Sequence, residues 1–361
     1  MSLKVGIVGA AGYAGAELIR LVLGHPEFEL VAITSNADAG QPLSAVYPSF
    51  AGVSDLVFTT HDAPELKSCD AVFLAVPHTA AMAQVPALLA SGVSCFDLSA
   101  DYRLNDASVF ETWYAAEHTS PELLKTRAFG LPELFCRDLE TAASDHADGK
   151  PVLVACAGCY PTATSLAAAP AVRAGWVAEN GPVIVDAISG VTGAGKSCNA
   201  RTHFCSADEN LEAYGVGKHR HTPEIEQILD LTDRVVFTPH LAPLKRGLLS
   251  TVTMPLAPQA LDALALEDVV DHYKKFYAGR SFVRVLDAGQ QPKTASVSAP
   301  TPPRSALRST SVRACWWRRA LSTICARVLR ARRSSAPTSF LALTSDEACP
   351  QWRARCSTFD C

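Results

Sequence analysis

A short apolar run, a glycine-rich turn and a helical pattern follow one another at the start of this 361-residue chain. The run covers residues 4–9, glycines at 9, 12 and 15 give a GxxGxxG spacing, and the helical pattern covers residues 16–23. This order is the context that a dinucleotide-binding fingerprint requires, because the glycines let backbone N–H groups approach a pyrophosphate at the helix N-terminus. The alternative is a turn that only packs strand on helix. We predict that the residues holding the cofactor include Gly9, Ala11, Gly12, Tyr13, Ala14 and Gly15.

The second predicted strand, residues 28–35, indicates which dinucleotide is bound. It ends in Ser35 and Asn36 with no acid. An Asp or Glu at this position would bond the ribose hydroxyls of NAD and repel a 2′-phosphate. The hydroxyl and amide therefore predict NADP(H), with both residues as contacts.

Further strands are predicted at residues 70–77 and 93–99, with a helix over 80–90 between them. This alternation predicts a Rossmann-type doubly wound parallel sheet, and we assign residues 1–150 to an NADP-binding domain of α/β class. Pro77 and His78 follow a strand end, where such sheets bind ligands. We assign Pro77 to the cofactor site, whereas His78 could equally be a solvated loop histidine.

Cys159 is the candidate nucleophile. The apolar run 152–156 ends before Gly158, and a helix is expected behind the cysteine with Pro161 at its first position. Unpaired backbone N–H groups and the positive end of a helix dipole favour a thiolate there, and the thiolate is the reactive form. The alternative is a small buried cysteine at a strand end.

We predict that residues 151–295 form an α+β catalytic domain with a largely antiparallel mixed sheet. Apolar runs cover 182–189, 235–244 and 248–256, and a helix is predicted near 266–278. The polar cluster at residues 218–224, before a helix starting near Pro223, supplies His219 and His221 as candidate acid/base groups. A solvated basic loop is the alternative.

Residues 190–197 match the P-loop pattern GxxxxGK[ST], which taken literally predicts an ATP or GTP site. A strand precedes the motif, but residues 198–205 lack a strong helical pattern. The glycines and Lys196 could instead hold a substrate phosphate. A P-loop phosphotransferase remains the rival class.

The composition changes abruptly near residue 296. Residues 296–361 hold eleven arginines, five of the twelve cysteines and three of the five tryptophans, but no glycine and no lysine. Only three acids accompany them, so this tail carries about +8 and the rest of the chain about −12. Residues 313–319 fit neither strand alternation nor an amphipathic helix. A basic interaction tail is one interpretation; we favour a GC-rich gene translated out of frame, and expect the tail to be poorly ordered.

The net charge of −4 gives no reason to propose nucleic acid or a membrane surface as partner. We expect no membrane span, no signal peptide and no metal site. The twelve cysteines are scattered through a long chain, so we expect reduced thiols and a cytoplasmic location.

Taken together, the chain resembles the N-acetyl-γ-glutamyl-phosphate reductase family, which is related to aspartate-semialdehyde dehydrogenase. The resemblance runs from about residue 3 to 295 in consistent order. Two departures are Ala157, where the family usually has proline, and the loss after Val297 of the family's further sheet and its Asn-Leu-x-Lys-Gly helix beside the cofactor. The matching segments are residues 9–15, 76–78, 97–103, 158–162, 189–196, 219–225 and 239–247.

The resemblance implies NADPH-dependent reduction of N-acetyl-glutamyl 5-phosphate to the 5-semialdehyde through a Cys159 thioester, in arginine biosynthesis. It implies His219 or His221 as acid/base, Ser189 and Gly190 at the cofactor, and a small acyl phosphate and phosphate as partners. It also implies a dimer or tetramer. A reductase of aspartyl phosphate or an aminoadipate-type substrate is the second possibility, and a folded but inactive product is another. Substrate contacts are expected from Arg103, Lys196, Glu224 and Arg246.

Overall fold

The computed structural model describes residues 2–297 and the backbone of residues 310–317 and 321–328. They form two compact units, the first ending at Ala157 and the second beginning at Gly158. Within this described part, no helix is both long enough and apolar enough to cross a membrane.

The first unit is built on a parallel sheet. Its strands are β1 (Leu3–Val8), β2 (Phe28–Thr34), β3 (Ala71–Leu74), β4 (Ser94–Asp97), β5 (Ala128–Gly130) and β6 (Leu153–Cys156). They lie in the order β2-β1-β3-β4-β6-β5, and every neighbouring pair is parallel. The chain places β2 on one side of β1 and β3 on the other, so the strand order reverses between β1 and β3. In sheets of this kind ligands bind in the crevice at that point.

Helices cover both faces of this sheet, which confirms the predicted doubly wound fold. Phe73 belongs to a hydrophobic cluster that contains Ile7 and Ile19, whereas its neighbours Val72 and Leu74 belong to a second cluster. Successive side chains of a strand point to opposite faces, so each cluster is the core on one face. The helices are α1 (Tyr13–Leu23), α2 (Leu43–Val46), α3 (Val85–Ala90), α4 (Ala107–Tyr114) and α5 (Cys136–Ala147).

The predicted helix over residues 80–90 is wrong in its first half, because α3 begins only at Val85. Residues before it form turns. The backbone N–H groups of Thr79, Ala81 and Met82 donate to the carboxylate of Asp101. These amides are therefore satisfied by a distant carboxylate, which the local sequence pattern does not show.

The second unit contains a mixed sheet, as predicted. Its strands are β7 (Val183–Gly190), β8 (Glu212–Ala213), β9 (Val235–Ala242), β10 (Leu248–Pro255), β11 (Val283–Val285), β12 (Thr310–Trp317) and β13 (Leu321–Val328). The order is β11-β12-β13-β10-β7-β9-β8. Among these described strands, only the pairs β7·β9 and β11·β12 are parallel, and the other four are antiparallel.

The helix after the candidate nucleophile begins at Cys159 itself, two residues before the predicted start at Pro161. Most of its side chains, from Tyr160 to Ala171, are buried. A helix buried on all sides belongs to a core, and its many alanines let it pack closely against neighbouring elements. The helices of this unit are α6 (Cys159–Arg173), α7 (Phe204–Ala207), α8 (Thr222–Leu229), α9 (Pro258–Ala263) and α10 (Leu266–Phe276).

Two segments of the tail after residue 296 form strands, which the sequence did not predict. Residues 310–317 form β12 and residues 321–328 form β13, which pairs with β10 over its whole length. Residues 313–317 thus lie in a strand although their pattern does not alternate, because strand pairing uses backbone groups and the segment is rich in β-favouring residues. The same strands extend the sheet beyond Val297, where no extension was expected from the residue pattern. The expected disorder of the remaining tail concerns residues outside the described ones.

Candidate active site

The glycine-rich turn after β1 is shaped for an anionic group. Gly9 has φ +78°, and a Cβ there would lie 2.5 Å from the Ala75 carbonyl oxygen. A Cβ on Gly15 would lie 2.5 Å from the Ala10 Cα. Both contacts are shorter than real Cβ atoms show, so these positions need glycine.

Gly12 differs, because it is the N-cap of α1 and a Cβ there would meet only the Gly9 oxygen, at 3.5 Å. Among the described residues no side chain caps this helix end. A pyrophosphate fits this cradle. Ala11 is buried and its carbonyl accepts the Tyr47 hydroxyl at 2.7 Å, while Tyr13 and Ala14 open α1.

Asp38, which lies four residues after β2, was not considered in the sequence interpretation. The Ser35 hydroxyl donates to Asp38 Oδ2 at 2.6 Å. Asn36 Oδ1 accepts the His61 amide at 2.9 Å, and the Thr34 hydroxyl lies 2.7 Å from His61 Nδ1. The hydroxyl and amide on which the NADP(H) prediction depended are therefore engaged by neighbouring residues. A carboxylate three positions after Ser35 was the available signal.

Pro77 and His78 lie in the turn after β3, and both are exposed. This turn starts beside Ala75, whose carbonyl packs against Gly9. The first unit thus has the glycine turn on one side of the β1–β3 crevice and Pro77 on the other. The His78 ring contacts Tyr114 with centroids 5.6 Å apart.

Cys159 is the first residue of α6, behind the N-cap Gly158. In the described part of the chain no side chain caps this helix end. The amide and the hydroxyl of Thr162 both bond to the Gly158 carbonyl, at 2.9 and 2.7 Å. The thiol is partly exposed, whereas burial raises the pKa of Cys69 to about 11 and that of Cys95 further. Those two thiols stay protonated at neutral pH.

Glu224 holds the residue before the nucleophile. Its Oε1 accepts the Gly158 amide at 2.7 Å, and its side chain is only 1% exposed. The acid lies in the first turn of α8, where a negative charge suits the helix dipole. The structure thus shows Glu224, predicted to contact substrate, fixing the N-cap of α6.

His219 and His221 lie together in an aromatic cluster with Tyr160, Tyr214 and Phe237. The two imidazole centroids are 4.9 Å apart, and His219 lies 5.7 Å from Tyr160, 5.5 Å from Tyr214 and 5.1 Å from Phe237. The Tyr214 hydroxyl donates to that of Tyr160, which donates to the His240 carbonyl, each at 3.2 Å.

Burial, and then the charge of Arg220, lowers the pKa of His219 to about 4. The imidazole is therefore neutral at pH 7. Its Nδ1 accepts the His221 amide at 3.1 Å, which places the remaining proton on Nε2. His219 is a hydrogen-bond donor at Nε2.

Tyr160 connects the cluster to the nucleophile. It follows Cys159 directly in α6, and its ring centroid lies 5.7 Å from that of His219 and 5.9 Å from that of His221. Tyr160 and Tyr214 were missed in the sequence, where Tyr160 follows Cys159 directly and Tyr214 stands five residues before His219.

The His219 pKa gives a prediction for stability against pH. In the unfolded chain His219 binds a proton near pH 6.5, whereas in the folded chain it does so only near pH 4. The contribution of His219 to the free energy of unfolding is therefore complete above pH 6.5 and is lost as the pH falls from 6.5 to 4. We expect the unfolding free energy of the wild type to fall by up to about 3 kcal/mol more than that of His219→Gln between pH 7 and 4. Urea unfolding of both proteins measures the difference, and parallel pH profiles would contradict it.

Two loops carrying the predicted phosphate contacts are joined. The amide of Val191 donates to the Leu244 carbonyl at 2.9 Å, and the Thr192 hydroxyl donates to the Lys245 carbonyl. Lys196 and Arg246 lie in these loops and are exposed. Ser189 and Gly190 end β7 within the second unit.

The P-loop interpretation is wrong. A P-loop requires a helix that opens at its Lys-Ser pair. Here the turn after β7 is a 3₁₀ helix over Val191–Ala194, and residues 195–203 are not helical before the four-residue α7.

Arg103 lies in the first unit and is 4% exposed. Its Nε donates to the Cys156 carbonyl at 2.9 Å and its Nη2 to the Leu98 carbonyl at 2.8 Å. These bonds fix the ends of β4 and β6, so the structure shows Arg103 holding the strand that leads to Cys159.

Two family models match the chain. The model described as "Semialdehyde dehydrogenase, NAD binding domain" matches residues 4–142, and that described as "Semialdehyde dehydrogenase, dimerisation domain" matches residues 159–301. Aspartate semialdehyde dehydrogenase with NADP from Candida albicans has the same fold, with a TM-score of 0.68 and 16% identity over 94% of this chain and 97% of its own.

Two curated relatives are named N-acetyl-gamma-glutamyl-phosphate reductase. The relative from Symbiobacterium thermophilum is 45% identical over 82% of this chain and 83% of its own. The relative from Janthinobacterium sp. is 44% identical over 84% of this chain and 86% of its own. This degree of identity, over both units and including the Cys159 helix, shows that the chain belongs to the N-acetyl-gamma-glutamyl-phosphate reductase family.

Proposed function

We propose that the chain reduces N-acetyl-γ-glutamyl phosphate to N-acetylglutamate 5-semialdehyde with NADPH, releasing phosphate. The observation that carries this proposal is Cys159 at the N-terminus of α6, with Gly158 fixed by Glu224 and the next residue, Tyr160, packed against His219. The names of the relatives supply the substrate.

NADPH, when bound, supplies a hydride. The amides at the N-terminus of α1 and the glycines of the preceding turn would hold its pyrophosphate. Ser35 and Asn36 lie at the end of β2, where the adenosine ribose of a dinucleotide binds. The Candida albicans dehydrogenase was solved with NADP, which supports this choice of cofactor.

The Cys159 thiolate attacks the carbonyl carbon of the acyl phosphate. A C–S bond forms, the C–O bond to phosphate breaks, and phosphate leaves with the electron pair, which gives a thioester. The loops bearing Lys196 and Arg246 provide two cations for the leaving anion. After reduction, the thiohemiacetal oxyanion collapses to the aldehyde and the thiolate is expelled.

We assign to His219 the stabilisation of the thiohemiacetal oxyanion. Its neutral ring carries the proton on Nε2, and a fixed donor in a partly buried site stabilises charge that develops on an oxygen. We keep His221, whose amide orients the ring, as the alternative.

The substrate is tested by NADP reduction in the presence of phosphate with three aldehydes: N-acetylglutamate 5-semialdehyde, aspartate semialdehyde and an aminoadipate-type semialdehyde. We expect kcat/KM to be highest with the first by at least about 100-fold, because one mismatched polar group in a site costs this much. Preference for either of the others would reassign the chain to that related reductase. No turnover with any of the three would indicate a folded but inactive product.

The open face of the second sheet supports self-association. Ile184 on β7 pairs with Val236 on β9 and with Thr253 on β10, and Val236 is 49% exposed. The opposite face, including Val185 and Phe237, is buried. A second copy of the chain is the occupant we propose for the open face, because these strands lie within the segment matched by the dimerisation domain.

A charge on this face should separate the copies. We expect Val236→Asp to shift the chain to a monomer in sedimentation equilibrium, because burying an unpaired carboxylate costs several kcal/mol. Val53→Asp, at a similarly exposed valine of the first unit, is the control and should leave the mass unchanged. An oligomer of unchanged mass in Val236→Asp would refute this choice of face.

A further inference from the structure

The carboxylate of Asp101 lies buried beneath the turn that follows β3. The side chain is 0% exposed. Its Oδ1 accepts the Thr79 amide at 2.6 Å, and its Oδ2 accepts the amides of Ala81 and Met82 at 3.0 and 3.1 Å. One carboxylate therefore collects three backbone donors from a single turn.

The turn that it holds is in a conformation that its sequence does not favour. Thr79 has φ +72°, in the left-handed region that a β-branched residue rarely adopts. Strain of this kind persists only where surrounding contacts fix it, and it is concentrated at functional sites. The bond from the Thr79 amide to Asp101 is such a contact.

Asp101 is itself fixed from several sides. Its amide donates to the Ser99 hydroxyl at 3.1 Å, and the Ser99 amide donates to Asp97 Oδ1 at 2.8 Å. Its carbonyl lies 2.8 Å from His118 Nε2. The carboxylate is therefore a rigid anchor, and the turn follows its position.

The turn held by Asp101 lies beside the crevice between β1 and β3. The turn contains Pro77 and forms the side of the β1–β3 crevice opposite the glycine turn. Three of its amides donate to Asp101, so the position of the turn beside β3 depends on this carboxylate. A displaced turn would change the wall of the crevice in which a dinucleotide binds.

We infer that Asp101 is a positioning residue that fixes the Pro77–Met82 turn in its strained conformation and thereby sets the affinity for NADP(H). This inference rests on the proposed reductase function, which identifies the crevice as the cofactor site. Asp101 acts through the turn and need not touch the cofactor.

The test measures the NADPH dissociation constant of the full chain by fluorescence titration. We expect Asp101→Asn to raise it by about tenfold (about 1.4 kcal/mol), because the amide presents N–H groups to one of the backbone donors. Replacing Thr79 by glycine in that background should restore most of the affinity, since glycine adopts the left-handed conformation without cost. Thr79→Gly alone completes the cycle.

Asp106→Asn is the matched control. Asp106 also accepts a backbone amide, from Ser108 at 2.7 Å, but it does so as the N-cap of α4 on the surface. We expect its dissociation constant to equal that of the wild type. An equal constant in folded Asp101→Asn, or an affinity lost and not recovered with Thr79→Gly, would overturn the inference. A wild-type chain that binds no NADPH would instead refute the proposed function.

Hydrogen exchange of the unmodified chain tests the same inference if Asp101→Asn fails to fold. The amides of Thr79, Ala81 and Met82 should exchange slowly without cofactor, because the carboxylate holds them in advance. Exchange as fast as in an exposed peptide would contradict this anchor.

Discussion

Cys159→Ser loses at least about 10³-fold in kcat while its dissociation constant for NADPH stays that of the wild type. The serine hydroxyl does not ionise near neutral pH, so it gains little from the helix dipole at the start of α6. The proposed pyrophosphate site at the start of α1 lies in the first unit, which ends before residue 159. Steady-state kinetics and a fluorescence titration measure the two quantities.

Cys136→Ser is the matched control for this prediction. Cys136 is also a partly exposed cysteine at the first position of a helix, α5, but it lies in the first unit and outside the His219 cluster. We expect its kcat to remain within about twofold of the wild type. Near-normal turnover in Cys159→Ser would refute the covalent mechanism, and equal losses in both variants would indicate general damage.

Gly12→Val is expected to have the opposite effect, raising the NADPH dissociation constant by about 100-fold, or about 2.7 kcal/mol. A branched side chain on the N-cap of α1 would project into the space where the pyrophosphate would lie, since a Cβ at this position meets only the Gly9 oxygen. The reaction rate of the Cys159 thiol with iodoacetamide should change little, because the second unit is untouched. An unchanged dissociation constant would show that the phosphates bind elsewhere.

Patterns within a short stretch of chain predicted the fold well. The β1–glycine–α1 sequence, the strands from β2 to β4 and β6, and the runs that became β7, β9 and β10 all depend on local periodicity. Cys159 and its helix were found in the same way. The exact start of α6 was missed by two residues because proline is tolerated anywhere in a first turn.

Contacts between distant residues could not be predicted from the sequence. Glu224 is bonded to Gly158 across 66 positions, and Asp101 holds Thr79 across 22. Arg103 was assigned to the substrate from the resemblance, and nothing local shows that its guanidinium bonds to carbonyls at two strand ends. In each case the partner of a buried charge is set by the tertiary fold.

At two places the local sequence pattern indicated a structure that differs from the one observed. The P-loop letters at residues 190–197 predicted a phosphate cradle, but the letters do not specify the helix on which that cradle depends. The arginine- and tryptophan-rich stretch showed no strand alternation, yet β12 pairs along β13 through its backbone. The match to the dimerisation domain ends at residue 301, close to where the composition changes.

The most direct test of the covalent mechanism omits phosphate. The chain is mixed with N-acetylglutamate 5-semialdehyde and NADP⁺, and NADPH formation is followed in the first turnover. The account predicts a burst of about one NADPH per chain, with an N-acetylglutamyl group found by mass spectrometry on the peptide containing Cys159, because no phosphate is present to release the thioester. A burst with the acyl group on another residue, or steady turnover without phosphate and without an acylated peptide, would contradict it.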